Sequence, residues 1–158
     1  MNPKKEAGFS LIELLIVVTI IGVIAAIAIP NLLASRRAAN EGSAQQSMRT
    51  IGTCETAYKF TYGNGSYTDL PTLGSKVMTD SVLSGGTKSG YSFAATPVAG
   101  PPEQFWAQGF PVTSSGFAAT GTRRFAISED GVLRGDANLA TGPPADLAAV
   151  QAMQAMGN

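Results

Sequence analysis

One carboxylate lies within a long apolar run near the start of the chain. Residues 8–30 read GFSLIELLIVVTIIGVIAAIAIP, and Glu13 lies near the beginning of that run. A charge in a membrane-length apolar helix is costly unless it is neutralised or reaches the interface. The sequence therefore raises the question of what neutralises Glu13, and one explanation is a side chain that extends back to the cytoplasmic interface.

The residues needed for common enzyme chemistry are missing. The 158-residue chain contains no His and a single Cys, Cys54. Metalloenzyme, Cys–His and Ser–His–Asp sites therefore lack their components, and we interpret Cys54 as a small buried apolar residue. The glycine-rich segments 63–68 and 84–91 do not have the spacing of a phosphate loop. We expect no enzyme activity and no cofactor.

The charge balance argues against a further class of function, nucleic-acid binding. Lys plus Arg and Asp plus Glu each number 11, which argues against nucleic-acid binding through a basic surface. We interpret the Arg123–Arg124 pair as solvated surface charge. The length allows one domain, with or without an appendage.

The apolar run has the length of a membrane span. In residues 11–29 the only polar side chains are Glu13 and Thr19, and such a helix is about 29 Å long, close to the roughly 30 Å of a hydrocarbon core. Lys4 and Lys5 precede it, which predicts a cytoplasmic N-terminus and an external remainder. A cleaved signal peptide, cut after Ala26 or Ala28, and a plain anchor are the alternatives.

Residues 8–15, Gly-Phe-Ser-Leu-Ile-Glu-Leu-Leu, resemble the processing site of type IV prepilins and of type II secretion pseudopilins. The resemblance covers residues 4 to about 40. It implies that a membrane peptidase cuts after Gly8 and that the new N-terminal Phe9 is N-methylated. It further implies that Glu13 pairs with the Phe9 amine of a neighbouring subunit, which would compensate a buried charge that is costly alone.

The resemblance also implies one long helix with a weak segment. Gly22 lowers helix propensity by about 1 kcal/mol relative to Ala, and Pro30 kinks a helix. Family filaments lose regular helix in this segment, so Gly22 and Pro30 mark the expected melting segment. A simple bend at Pro30 is the alternative.

Residues 31–62 continue as an amphipathic helix. Apolar positions recur at helical spacing and form one stripe: Ala44, Met48, Ile51, Cys54 or Glu55, and Tyr58. The resemblance implies that this half of the helix packs against a globular head, while its opposite face meets neighbouring subunits. Arg36 and Arg37 are candidates to bind lipid phosphates.

The remainder, residues 63–158, predicts a small antiparallel sheet. Gly63-Asn64-Gly65 ends the long helix; Asp69 caps a turn over 70–73, and Ser75 caps another over 77–83. Strands are expected at 91–95, 104–110, 124–128 and 132–134, with a two-residue hairpin at Asp130-Gly131. Short connections make the sheet antiparallel. Aromatic residues are expected to form the seam between helix and sheet: Tyr58, Phe60, Tyr62, Tyr67, Phe105 and Trp106.

The C-terminal tail predicts a short helix capped by Asp146, with Leu147, Val150 and Met153 on one side. Asp136, Asn138 and Asp146 lack the spacing of a recognised calcium loop, so we interpret them as surface residues and expect no metal.

The prediction is an α+β, pilin-like fold with a long N-terminal helix on a small antiparallel sheet. Residues 1–8 form the leader, 9–30 the membrane and filament-core helix, 31–62 its amphipathic half and 63–158 the head. The expected function is a major-type pilin, anchored in the inner membrane and then assembled with copies of itself into an extracellular pilus. Its expected partners are a prepilin peptidase/methyltransferase, an inner-membrane assembly platform and, before assembly, membrane lipid. The alternatives are a periplasmic pseudopilin of type II secretion and a monomeric membrane-anchored binding module.

Overall fold

The computed structural model describes residues 8–156. The predictions for residues 1–7, including Lys4 and Lys5, lie outside these residues. The chain separates into two compact units, Met1–Ser35 and Arg36–Asn158, and each is described by itself below.

The first helix, α1, spans Leu11–Thr61. Gly22 and Pro30 both lie within it, and the helical assignment is unbroken across them. Loss of helix between these two residues therefore stays a prediction for the assembled state. At the other end of α1, the Gly63 N–H donates to the Tyr58 carbonyl over 2.8 Å. Asn64 and Gly65 follow with positive φ of 47° and 97°, which confirms the predicted stop signal.

The head contains an antiparallel sheet, as predicted. Among the described residues its strands are β1 (Thr87–Lys88), β2 (Tyr91–Val98), β3 (Gln104–Pro111), β4 (Arg124–Ser128) and β5 (Arg134–Asp136), and they lie in sequence order. Ala107 in β3 pairs with Ala95 in β2 and with Ile127 in β4. An α+β fold with a long helix and a meander is confirmed.

One face of the sheet packs on α1 through the predicted stripe. Ala44, Met48 and Ile51 are fully buried and share a core with sheet residues that include Tyr91 and Phe125. Burying side chains of the size of Met48 and Ile51 stabilises the fold by about 1.5–3 kcal/mol each. Gly109 lets the helix approach closely, because a Cβ there would lie 3.3 Å from the Met48 sulfur.

The other face of the sheet is covered by the tail. Helix α4 spans Leu147–Gln151, and Asp146 caps it by accepting from the Ala149 N–H over 2.7 Å. Val150 and Met153 are buried against Trp106 and Ala126. The predicted Asp146 cap and the predicted apolar side of the C-terminal helix are confirmed, and the tail packs on the sheet. Trp106 therefore belongs to this second cluster and not to the seam with α1.

The predicted aromatic seam is partly wrong. Tyr67 and Phe105 do pack together, with ring centroids 4.7 Å apart. Phe60 and Tyr62 instead have 81% and 55% of their surface exposed. Phe60 follows the buried Glu55 by five positions, which places it about 140° around the helix from the core stripe.

Two local predictions are also wrong: the helix cap at Ser75 and the two-residue hairpin at Asp130-Gly131. The Asp69 cap is confirmed at the start of α2 (Leu70–Lys76), but Ser75 caps nothing; Asp80 caps α3 (Ser81–Ser84). Ser75 lies within α2, where its hydroxyl donates to the Thr72 carbonyl; the Asp80 carboxylate instead accepts from the Val82 and Leu83 N–H groups at the start of α3.

The connection between β4 and β5 is longer than a two-residue hairpin. β4 ends at Ser128 and β5 begins only at Arg134. The Asp130 carboxylate accepts from the Val132 N–H and from the Arg134 guanidinium, so a side chain closes the turn in place of ladder hydrogen bonds. Gly131 has a φ of 71° there, which favours glycine.

Candidate functional site

Glu13 has a structural role at the start of α1. Its Oε2 accepts from the Ser10 backbone N–H over 2.9 Å. Ser10 immediately precedes the first helical residue, so Ser10-Leu11-Ile12-Glu13 has the spacing of a capping box, in which the acidic side chain satisfies a free donor at the helix start. Sequence reasoning missed this role, although the S-x-x-E pattern was present to indicate it.

The residues around the expected cleavage bond are accessible. Phe9 has 87% of its surface exposed, and Gly8 is exposed beside it. A Cβ built on Gly8 meets nothing within 4 Å. The fold of the described residues therefore makes no demand for glycine at this position.

The apolar part of α1 is long and hydrophobic enough to cross a membrane. Its most apolar 18-residue window has a mean hydropathy of 2.9, and none of it is buried within the chain. Most of the large side chains there are more than half exposed, including Ile16, Ile20 and Ile24. Apolar surface of this extent requires lipid or protein to cover it.

Arg37 fixes the connection between β3 and β4. Its Nε donates to the Ala119 carbonyl over 3.1 Å, and its Nη2 donates to the carbonyls of Gly116 and Phe117 over 3.3 and 3.2 Å. Asn40 adds a bond to the Thr120 carbonyl over 2.9 Å. The Arg37 guanidinium therefore holds the loop in place, a structural role that the sequence analysis did not predict when it named Arg37 as a candidate to bind lipid phosphates. Arg36, the other candidate, is exposed.

Glu55 is a buried acid on the core side of α1. It has no exposed surface. Oε2 accepts from the Thr68 N–H over 3.1 Å, and Oε1 has no hydrogen-bond partner among residues 8–156. Burial, followed by the nearby negative charge of Asp69, raises the pKa of Glu55 to about 7, although the Thr68 hydrogen bond opposes this. Cys54 beside it is only half-buried, and burial raises the pKa of its thiol.

The three residues weighed as calcium ligands serve other contacts. The Arg124 guanidinium donates to both oxygens of Asp136, over 2.8 and 3.0 Å, and lowers the pKa of that carboxyl. The interpretation of Arg124 as solvated surface charge is therefore wrong, because its side chain is largely buried in this ion pair. Asp136 also accepts from the Asn138 N–H, and Asp146 is the α4 cap. Within residues 8–156 no group of three His, Cys, Asp or Glu side chains is placed to share a metal ion.

Two features together define the class of pilin-like proteins. One is an exposed apolar helix that begins beside a Gly-Phe bond, and the other is a head in which an amphipathic helix packs on an antiparallel meander. The prokaryotic N-terminal methylation motif matches residues 3–29. The type IV wide pilus major component PilA4 of Thermus thermophilus is 39% identical over 112 residues, which are 60% of this chain and 84% of that protein. The chain therefore belongs to the type IV pilin family.

Two shorter matches each cover a little more than a third of the chain. The type IV major pilin protein PilA of Myxococcus xanthus is 40% identical over 57 residues, 36% of this chain and 26% of that protein. The type II secretion system core protein G of Aeromonas hydrophila is 27% identical over 59 residues, 37% of this chain and 41% of that protein. No solved structure matches the chain significantly.

Proposed function

We propose that this chain is a major-type structural subunit of a type IV pilus. It is made as a prepilin with leader residues 1–8, cut between Gly8 and Phe9, methylated on the Phe9 amine and polymerised. The observation that carries the proposal is the match to a pilus major component over 84% of that component's length, together with the methylation motif at residues 3–29. The chain's own role is structural and not catalytic.

Glu13 acts twice in this scheme. In the single chain it caps α1 through the Ser10 N–H. After cleavage the chain gains an amine at Phe9, and the Glu13 carboxylate of an incoming subunit pairs with the Phe9 amine of a neighbour. In a bundle of apolar helices such a pair is attractive because the dielectric is low, and it removes the penalty of two separately buried charges.

Assembly is driven by the apolar half of α1, residues 9–30. These side chains are exposed in the single chain, so lipid covers them before assembly and neighbouring helices cover them afterwards. Gly22 has nothing within 4 Å of a Cβ built on it, so packing inside one chain does not require glycine there. Together with Pro30 it makes this stretch the segment that melts in the filament.

The proposed location follows from this scheme. The chain sits in the inner membrane with a cytoplasmic N-terminus, is processed by a prepilin peptidase/methyltransferase, and is inserted by an inner-membrane assembly platform into an extracellular filament. Residues 31–62 are the amphipathic half of the helix, and residues 63–158 are the head on the filament surface.

The test is the N-terminus of the chain recovered from sheared surface filaments. Mass spectrometry is expected to identify abundant mature chain that begins with N-methylated Phe9. A chain that retains residues 1–8, or one cut beyond Ala26, would contradict the proposal.

A pseudopilin of type II secretion is the second candidate, favoured by the 27% identical match to a type II secretion core protein. It predicts the same methylated Phe9, but with the mature chain confined to the cell envelope and none in the sheared filament fraction.

A further inference from the structure

The connection between β3 and β4 carries an exposed aromatic side chain at its tip. Phe117 has 70% of its surface exposed and lies in the β3–β4 loop, residues 112–123. Arg37 of α1 donates to three backbone carbonyls within residues 116–119, so the backbone that carries the ring is held in place. One exposed apolar side chain is ordinary on a protein surface. What this ring can contact is therefore decided by its position in the chain.

The loop is bound at the point of α1 where the charge-free part of the chain ends. Residues 14–35 contain no charged side chain, and Arg36 and Arg37 are the first charges after Glu13. As a helix, these twenty-two residues extend about 33 Å, slightly more than the roughly 30 Å of a hydrocarbon core. A chain anchored by this stretch, as the proposed function requires, therefore carries Arg36 and Arg37 at the level of the lipid headgroups.

The order of the contacts along α1 makes the loop tip the end of the head nearest to Arg36. Arg37 binds residues 116–119, and Asn40, farther along the helix, donates to the Thr120 carbonyl over 2.9 Å. From position 120 to its tip the loop thus runs toward lower residue numbers of α1. Within residues 8–156, no hydrogen bond joins the head to α1 before Arg37. The tip is therefore the part of the head that a membrane surface at Arg36 meets first.

The chemistry of the tip fits an anionic lipid surface. Residues 112–122 contain no charged side chain, and exposed serines at 114–115 precede the ring. Arg36 is exposed and forms no ion pair within residues 8–156. The next acid along the helix, Glu41, already accepts from the N–H and the hydroxyl of Thr122. Apolar side chains bury about 5–10 Å into the boundary of headgroups and acyl chains, and basic side chains there attract anionic headgroups.

We propose that the tip of the β3–β4 loop inserts Phe117 into the surface of the membrane that holds α1, with Arg36 against anionic phospholipid headgroups. The inference rests on the proposed function, because it concerns the anchored chain before it enters the filament. The contact holds the unassembled head against the membrane, and it has to break when the subunit is taken into the filament. A second copy of the chain is the competing occupant, and the experiments below distinguish the two.

Fluorescence quenching in single-chain lipid nanodiscs tests the contact. The full chain, in a Cys54→Ala background, would carry a nitrobenzoxadiazole label on Phe117→Cys in phosphatidylglycerol discs that contain lipid with a nitroxide on its headgroup. Phe60→Cys is the matched control, because Phe60 is also exposed and lies twenty-three positions after Arg37, about 35 Å farther along α1. The label at 117 is expected to lose at least about twice as much fluorescence as the label at 60. Equal losses would overturn the inference.

Reversing one charge tests the headgroup contact without changing the label. With the label at position 117, Arg36→Glu is expected to lower the quenching in anionic discs by about half or more, because anionic headgroups repel a carboxylate. Arg49→Glu, at another exposed arginine of α1, is expected to leave the quenching unchanged. The same quenching in both variants would overturn the assignment of Arg36 to the lipid headgroups.

A benzophenone side chain at position 117 identifies what the ring contacts in vesicles that hold many copies of the full chain. The expected product is a covalent adduct with phospholipid. A covalent dimer in its place would assign Phe117 to a second copy and overturn the inference. A chain that floats with the vesicles but gives no lipid adduct would overturn the inference alone, whereas a chain that does not float with them would contradict the proposed anchored subunit as well.

Discussion

Glu55 makes the stability of the head depend on pH, because its carboxyl is buried and forms no ion pair within residues 8–156. Lys59, one turn further along α1, donates to the Tyr67 hydroxyl over 3.2 Å and lies 4.3 Å from the centroid of that ring. In the unfolded chain the Glu55 pKa returns to about 4.3, whereas in the folded chain it is about 7. The free energy by which Glu55 stabilises the fold is complete below about pH 4.3 and is lost as pH rises through about 7. This change in the free energy of unfolding is on the order of 3 kcal/mol.

We expect Glu55→Gln to remove this dependence. The amide oxygen of Gln still accepts from the Thr68 N–H, and no charge is created at pH 8. Thermal unfolding of the full chain in detergent should show a smaller fall in Tm from pH 5 to pH 8 than the unsubstituted chain, with a higher Tm at pH 8. Glu103→Gln, at a half-buried residue before β3, serves as the matched control. An unchanged fall in Tm for Glu55→Gln would contradict this account.

At the scale of elements, the β3–β4 loop depends on one side chain of α1. Arg37→Lys keeps the charge but loses the planar fork that reaches the Gly116, Phe117 and Ala119 carbonyls together. We expect a destabilisation of about 1–2 kcal/mol and faster amide hydrogen exchange in residues 113–122. Arg36→Lys, at the exposed neighbouring position, should change neither. Equal exchange rates in the two variants would show that Arg37 does not hold the loop.

The β4–β5 turn likewise depends on one side chain, that of Asp130, which accepts hydrogen bonds from Val132 and Arg134. The Arg134 guanidinium, with further hydrogen bonds from Val132 and Ser128, lowers the pKa of Asp130 to about 2. Because the folded pKa is lower than the unfolded one, this contribution is present above about pH 4 and is lost as pH falls through about 2. We expect Asp130→Ala to cost about 1 kcal/mol at pH 7, measured by denaturant unfolding, and to cost less at pH 2. If Asp130→Ala lowers the free energy of unfolding by the same amount at pH 2 as at pH 7, the Asp130 charge does not stabilise the turn.

The elements differ in how far the sequence predicts them. The helix stripe of Ala44, Met48 and Ile51 follows from spacing alone, and β4 has the predicted bounds, residues 124–128. The Asp-Gly signal indicated a turn but not its length, because the Asp130 side chain replaces ladder hydrogen bonds. The Arg37 clamp joins residues about eighty positions apart, and no local pattern indicates such a contact.

At the scale of the whole molecule, the Glu13 carboxylate is the group that we propose to act both in the single chain and in the filament. The apolar run and the Gly8-Phe9 bond predicted the N-terminal site from sequence. The methylation motif matches residues 3–29, while cleavage after Gly8 and methylation of Phe9 stay predictions. The structure adds that Glu13 already binds the Ser10 N–H in the single chain. An alanine at position 13 therefore removes both the cap and the charge, so its effect on assembly would have two explanations.

Glu13→Gln separates these two roles. Glutamine at the fourth position of a capping box still accepts from the backbone N–H, so the start of α1 keeps its hydrogen bond, but no charge remains to pair with the Phe9 amine of a neighbour. We expect normal amounts of chain in the membrane, normal cleavage after Gly8, and a loss of surface pili of at least tenfold, counted by electron microscopy and by immunoblots of the sheared fraction. Ser10→Ala is the matched control: it keeps both the backbone N–H and Glu13, and should leave pilus numbers near those of the parent. Normal piliation with Glu13→Gln would mean that the carboxylate serves the helix cap alone, and that filament assembly needs no ion pair at this position.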